Sequence, residues 1–253
     1  TAAAQPNSCI EEILFMNTIK INVQNKKIVA HRGASRLEKE NTLAAFIAAG
    51  NRSYYGIECD IHRTADGRYV VIHDETTKRV AGDSVDVENS SFHLVRSVVL
   101  DDIDGTKRKD LFPPTLEEYL KLCVKYEKTA VIELKGAFEK PWIKEVLDIL
   151  YARGDAENTV FISFYADNLI MLREWAPRQK AQLLTDKWSD DLIPLLKKHR
   201  LDLDILYSAL DKQRIDDAHN NGISVNCWTV DDPTAAEQLL SWGVDYITSN
   251  CLE

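Results

Sequence analysis

From residue 27 onward the chain alternates short runs rich in β-branched residues with amphipathic stretches of helical period. That order predicts a parallel sheet with helices packed outside it. The candidate strands are 27–30, 56–61, 69–73, 130–135, 159–164, 181–184, 204–208, 223–229 and 245–248. Nine candidates thus compete for the eight strand places of a closed barrel. The surplus one is 69–73, because Thr64-Ala65-Asp66-Gly67 joins it to its predecessor where a helix would otherwise stand. Asp-Gly is a tight-turn signal.

Helix boundaries carry their own chemistry. Thr115-Leu116-Glu117-Glu118 reads as a capping box, in which Thr115 and Glu118 satisfy each other's backbone donors. Asp232-Pro233 supplies an N-cap followed by proline in the first turn. Gly50, Gly222 and Gly243 stand where a glycine just past a helix would end it. From 75 to 114 the rhythm fails, with no sustained period and with Gly82-Asp83, Asp101-Asp102, Asp104-Gly105 and Pro113-Pro114. So long a loop in a compact domain is usually functional. The expectation is an α/β fold, a (β/α)8 TIM barrel over 27–253 with a small insertion at about 75–114 over the C-terminal mouth. Residues 1–26 form an N-terminal extension without an assigned role.

Size and charge narrow the partners. The 253 residues match the roughly 250 of such a barrel. A formal net charge of -9 argues against nucleic acid or an anionic membrane surface as partner, since both need clustered Lys and Arg. No apolar run approaches the ~20 residues of a membrane span. The five cysteines show no CxxC spacing and read as reduced structural thiols, which points to the cytoplasm. The start, Thr1-Ala2-Ala3-Ala4, shows no signal-peptide pattern, and Met16 could be a natural first residue.

Functional groups in such barrels gather at the carboxyl ends of the strands. Here 27–30 runs into His31-Arg32-Gly33, 56–57 into Glu58-Cys59-Asp60, 69–72 into His73-Asp74, and 131–132 into Glu133-Leu134-Lys135. Side chains alternate along a strand, so Glu58 and Asp60 share one face, as do Glu133 and Lys135, and Asn226 and Trp228. Glu58, Asp60 and Glu133 buried together would repel one another without a cation. Three hard oxygen donors with room for water describe one divalent cation, Mg2+ or Ca2+. Two histidines suit acid–base work near neutral pH, and Arg32 and Lys135 can bind the non-bridging oxygens of a phosphate. Gly33 permits a sharp turn or a close backbone approach.

Each piece alone has a plainer reading. A lone histidine is more often structural, a lone Glu-x-Asp is a solvated surface, Glu133 with Lys135 is an ion pair, and Trp228 or Cys59 is packing. What changes the balance is recurrence, since polar clusters end successive strands that are otherwise apolar.

In order, His31-Arg32-Gly33, Glu40-Asn41-Thr42, Glu58-Cys59-Asp60, Asp66-Gly67, His73-Asp74, Pro114-Thr115-Leu116-Glu117-Glu118, Glu133-Leu134-Lys135, Trp228-Thr229-Val230 and Gly243-Val244-Asp245 resemble the glycerophosphodiester phosphodiesterase family. The resemblance implies hydrolysis of a small phosphodiester, such as glycerophosphocholine or glycerophosphoethanolamine, to glycerol 3-phosphate and an alcohol. It implies Glu58, Asp60 and Glu133 as metal ligands and His31 with His73 as the acid–base pair. Arg32 and Lys135 would meet the phosphate, Trp228 would wall the glycerol end, and Glu40 and Asn41 would support the site. Two departures stand out: Lys39 replaces the usual Pro before Glu-Asn-Thr, and Thr248-Ser249-Asn250 replaces Thr-Asp-x-Pro. The rivals are a lysophospholipase D or sphingomyelinase D activity on the same site, an aldolase-type barrel with Lys135 as Schiff-base nucleophile, and a non-catalytic binding barrel.

Overall fold

The structure is a computed structural model that describes residues 17–23 and 25–253. Its strands are β1 (Lys27–Ala30), β2 (Gly56–Arg63), β3 (Tyr69–Val71), β4 (Thr129–Leu134), β5 (Thr159–Ser163), β6 (Lys180–Thr185), β7 (Asp202–Leu206), β8 (Val225–Trp228) and β9 (Tyr246–Ser249). The helices are α1 (Leu43–Gly50), α2 (Lys78–Ala81), α3 (Phe92–Arg96), α4 (Leu116–Lys125), α5 (Lys140–Arg153), α6 (Ala166–Trp175), α7 (Leu192–His199), α8 (Lys212–Asn220) and α9 (Pro233–Trp242).

The parallel strands run β1-β9-β8-β7-β6-β5-β4-β2, and β1 pairs again with β2 to close the barrel. β3 is the surplus strand expected from the sequence, and it returns antiparallel on β2. Register explains where it fits. β1 pairs only with the first two residues of β2, Gly56 and Ile57, whereas β3 pairs with Ile61, His62 and Arg63. The hairpin therefore fills the gap that opens between β1 and β2 toward the C-terminal mouth. Its turn is held by the Gly67 N–H donating to Thr64 O at 2.9 Å, with Gly67 at φ +78°.

Two apolar layers follow from strand alternation. Ile57, Cys59, Ile61, Ala130, Ile132, Leu134, Val225 and Cys227 face the helices in the main core. Val29, Val131, Val160, Ile162 and Leu184 fill the barrel interior, with Trp228 packed against them. The insertion, which showed no period in the sequence, folds as α2, α3 and turns. It carries its own small core of Val80, Val87, Val95, Leu100 and Leu111 against Val70 and Ile72 of the hairpin.

The capping box at Thr115 and Glu118 is present in both directions, and Asp232 caps α9 ahead of Pro233. Gly222 and Gly243 take positive φ past their helices. Gly50 does not serve as such a terminator: it is the last residue of α1, and Asn51 is the cap. The physical reason for glycine there is close approach, because a Cβ would lie 2.5 Å from the Tyr126 ring.

Of the 1–26 extension, residues 1–16 (with Cys9 and Met16) and residue 24 lie outside the described residues. Residues 19–21 pair with the chain's end: the Ile19 N–H donates to Cys251 O, the Ile21 N–H to Glu253 O, and the Glu253 N–H to Ile19 O. No helix among the described residues is long and apolar enough to cross a membrane.

Candidate active site

Glu58 and Asp60 come from β2 and Glu133 from β4, where Asp60 and Glu133 are register partners. Alternation points all three into the barrel, and each offers an oxygen within 4.8 Å of the others. Their surroundings differ. Glu58 Oε2 accepts the Arg32 backbone N–H at 2.8 Å. Asp60 Oδ2 accepts Asn41 Nδ2 at 2.7 Å. Asp60 Oδ1 is buried with no hydrogen-bond donor among the described residues, although Lys135 Nζ stands 3.5 Å away. Lys135 Nζ lies 2.9 Å from Glu133 Oε1.

These contacts divide the three carboxylates electrostatically. Burial pushes Glu58 well up, and the charges of Asp60 and Glu133 add to it. Burial and Asp60 likewise push Glu133 up to about 8. Burial would raise Asp60 as well, but Lys135, Arg32 and His73 hold it well below the ordinary carboxylate range. Lys135 itself is raised, since Asp60 and Glu133 outweigh its burial. A lysine held protonated in this way is a poor amine nucleophile, which counts against the Schiff-base reading.

The residues fit a hard divalent cation. Among the described residues Asp60 Oδ1 lacks a donor, the neighbouring carboxyls of Glu58 and Glu133 resist ionising side by side, and every donor atom of the cluster is oxygen.

Two backbone devices build the wall around this cluster. Arg32 and Asn41 both sit at φ +56°, where non-glycine residues are uncommon. That conformation directs the Arg32 N–H at Glu58 and lets Asn41 reach Asp60. Gly33, at φ +82°, also meets α1 so closely that a Cβ would lie 2.7 Å from Ala45. Both reasons expected for this glycine hold at once.

His31 and His73 flank the carboxylates and line one cavity with Arg32, Glu58, Glu133 and Trp228. Burial, with Arg32 beside it, pushes His31 down to about 4. Burial also lowers His73, opposed by Asp60. His31 Nδ1 meets Asn250 Oδ1 at 2.8 Å, and His73 Nδ1 meets Asp74 Oδ1 at 2.6 Å. Trp228 stacks edge-on with Phe164 at 5.6 Å, and both border the cavity. Glu40 accepts Arg32 NH1 at 2.9 Å and binds Arg79 as well.

All ten residues singled out in the sequence therefore gather at one barrel end. Other residues at the site had been given no role. Asp74 was legible as His73's neighbour but had no role, and Arg79 lies in the stretch without period. His62, one step beyond Asp60 on the same face, meets the His73 carbonyl at 3.1 Å and Glu88 of the insertion at 2.8 Å. A wider cleft of about 510 Å3 continues from His73 along Glu75, Thr76 and Glu88 of the insertion to Phe164 and Tyr165. The unusual Ser249-Asn250 pair turns both side chains onto Asp231.

Known proteins place the chain. Residues 31–253 match the Glycerophosphoryl diester phosphodiesterase family. A glycerophosphodiester phosphodiesterase of Caldanaerobacter subterraneus subsp. tengcongensis is 30% identical over 230 residues, covering 88% of this chain and 93% of that protein. A glycerophosphodiester phosphodiesterase structure from Thermotoga maritima aligns with TM-score 0.72 at 27% identity, over 89% of this chain and 95% of the other. An Oleispira antarctica phosphodiesterase, solved in complex with the product sn-glycerol-3-phosphate, shares the fold with TM-score 0.82 at 22% identity, over 88% of this chain and 92% of that one. With its motifs, its closed barrel and these relatives in agreement, the chain belongs to the glycerophosphoryl diester phosphodiesterase family of hydrolases.

Proposed function

We propose that the protein hydrolyses glycerophosphodiesters, such as glycerophosphocholine and glycerophosphoethanolamine, to glycerol 3-phosphate and an alcohol, with one Mg2+ or Ca2+ bound by Glu58, Asp60 and Glu133. The observation that carries this reading is the buried cluster of three carboxylates beside two histidines, with Asp60 Oδ1 lacking a donor. When bound, the cation supplies charge that neutralises the acidic wall and draws a phosphate oxygen toward it.

The chain's own residues perform the rest. Arg32 and Lys135, both held as cations by the carboxylates around them, meet the non-bridging oxygens and the charge that grows there. His31 and His73 form the acid–base pair. The attacking oxygen gives its proton to one ring as its electron pair bonds to phosphorus. The bond from phosphorus to the alcohol oxygen breaks, and that oxygen takes the proton held by the other ring. Trp228 and Phe164 supply apolar wall to the cavity. Glu40 and Asn41 keep Arg32 and Asp60 in place.

The reading takes 27–253 as one catalytic unit with 75–114 as the insertion that borders its mouth. Cys59, Cys123, Cys227 and Cys251 are free and buried, which supports a reducing, cytoplasmic setting. The test is release of glycerol 3-phosphate from glycerophosphocholine with and without a chelator, followed by add-back of Mg2+ and Ca2+. Chelator-sensitive release restored by one metal is the expected result. Exposed Phe164 and Tyr165 at the mouth offer a foothold for an acyl chain, so a lysophospholipid belongs in the same assay. Turnover of that lipid alone would replace this reading with a lysophospholipase D activity.

A further inference from the structure

Asn250 sits between a carboxylate and a histidine, and that position decides where a proton lies. Its Nδ2 donates to Asp231 Oδ2 at 2.6 Å. The Asn250 backbone N–H and the Ser249 hydroxyl donate to Asp231 Oδ1 at 2.8 and 2.9 Å. A carboxylate only accepts, so the amide nitrogen must face Asp231 and the amide oxygen must face away. On that other side Oδ1 accepts the Ser35 hydroxyl at 2.9 Å and meets His31 Nδ1 at 2.8 Å. An amide oxygen has nothing to donate, so His31 Nδ1 carries the hydrogen. In the neutral ring that leaves Nε2 with its lone pair.

We propose that Asn250, oriented by Asp231, is a positioning residue that fixes the Nδ1–H tautomer of His31 and so presents Nε2 as a proton acceptor in the active site. The proposal rests on the reading of His31 as one of the acid–base pair. It makes the two histidines unequal: a carboxylate, Asp74, backs His73 at 2.6 Å, whereas only an amide dipole backs His31. The charge stands one residue further off, on Asp231, and acts by locking the amide.

Asp231→Asn tests the lock with almost no change of shape. The new side chain can donate where Asp231 only accepted, which frees the Asn250 amide to turn and offer its N–H to His31. Multiple-bond 15N–1H spectra, with His31→Ala for assignment, should show His31 moving from Nδ1–H to Nε2–H. The kcat should fall about 100-fold, the low end of what acid–base groups contribute, while KM and metal affinity hardly move. The double variant Asp231→Asn/Asn250→Asp puts the acceptor back beside His31, with an amide behind it to donate. It should restore both the tautomer and most of kcat.

An Asp231→Asn protein that keeps the Nδ1–H tautomer and wild-type kcat would overturn the proposal. So would a folded double variant that recovers neither. The spectra need no turnover, so a wild-type protein that releases no glycerol 3-phosphate would defeat the activity reading and leave the tautomer result standing.

Discussion

Arg79 joins Glu40 to Asp74: its NH1 and NH2 donate to the two Glu40 oxygens at 2.8 and 2.9 Å, and its Nε donates to Asp74 Oδ2 at 2.6 Å. Glu40 in turn holds Arg32, and Asp74 holds His73. One side chain on the short helix α2 of the insertion thereby ties Arg32, proposed to meet the phosphate, to His73, proposed as one of the acid–base pair. The insertion is thus part of the site's support as well as its rim.

Removing that tie should cost activity more than stability. Arg79 is nearly half exposed, and exposed ion pairs contribute ~0–1 kcal/mol each. Losing a group that orients a functional side chain typically costs ~10–100-fold. Arg79→Ala should therefore lower kcat/KM about tenfold or more with a Tm shift of a few degrees at most. Steady-state kinetics and a melting curve on the same sample check this. A large loss of Tm with kcat/KM unchanged would assign Arg79 to folding alone.

His31→Ala and His73→Ala should each lower kcat by ~10²–10⁴-fold, the usual contribution of a placed acid or base. Circular dichroism should be unchanged in both. Near-wild-type kcat in either variant would take that histidine out of the acid–base pair.

The carboxylate cluster predicts a steeper pH dependence of stability without metal than with it. Glu133, ordinarily near 4.5, is pushed up to about 8 by burial and Asp60, and Glu58 is raised for the same reasons. A carboxyl raised on folding contributes stability that is full below its unfolded value and is lost as pH rises through its folded value. Chelator-treated protein should therefore lose Tm as pH rises toward about 8, most clearly above about pH 6.5, because His31 and His73, both lowered by burial, offset the carboxylates below it. Metal-loaded protein should lose less, because the cation compensates the charge. Metal binding should release protons and tighten as pH rises, as calorimetry in two buffers would show. Glu58→Gln should weaken that binding and flatten its pH dependence.

Gly50→Ala should be destabilising although alanine favours helices. The added Cβ would fall 2.5 Å from the Tyr126 ring, and overpacking of this kind costs ~1–3 kcal/mol. Urea denaturation measures it. An alanine variant as stable as the parent would mean that the ring can move aside.

The sequence by itself determined what is encoded locally. β-branched runs, the Thr115 box, Asp232-Pro233 and the Asp66-Gly67 turn each act within a few residues, so strands, caps and the antiparallel hairpin were legible without coordinates. Alternation likewise placed Glu58, Asp60 and Glu133 on inward faces. Local pattern fails where the reason for a residue lies elsewhere in the chain. Gly50 reads as a helix terminator until Tyr126 is seen against it. Residues 75–114 show no period because their small core is completed by Val70 and Ile72 of the hairpin. The ties from Arg79 to Glu40 and from His62 to Glu88 form where the insertion packs over the hairpin, and the tie from Asp231 through Asn250 to His31 forms where β9 pairs with β1. Which face a side chain takes is a property of its own strand. Which partner it meets there depends on the register of strands distant in sequence, and that is what the tertiary structure decided.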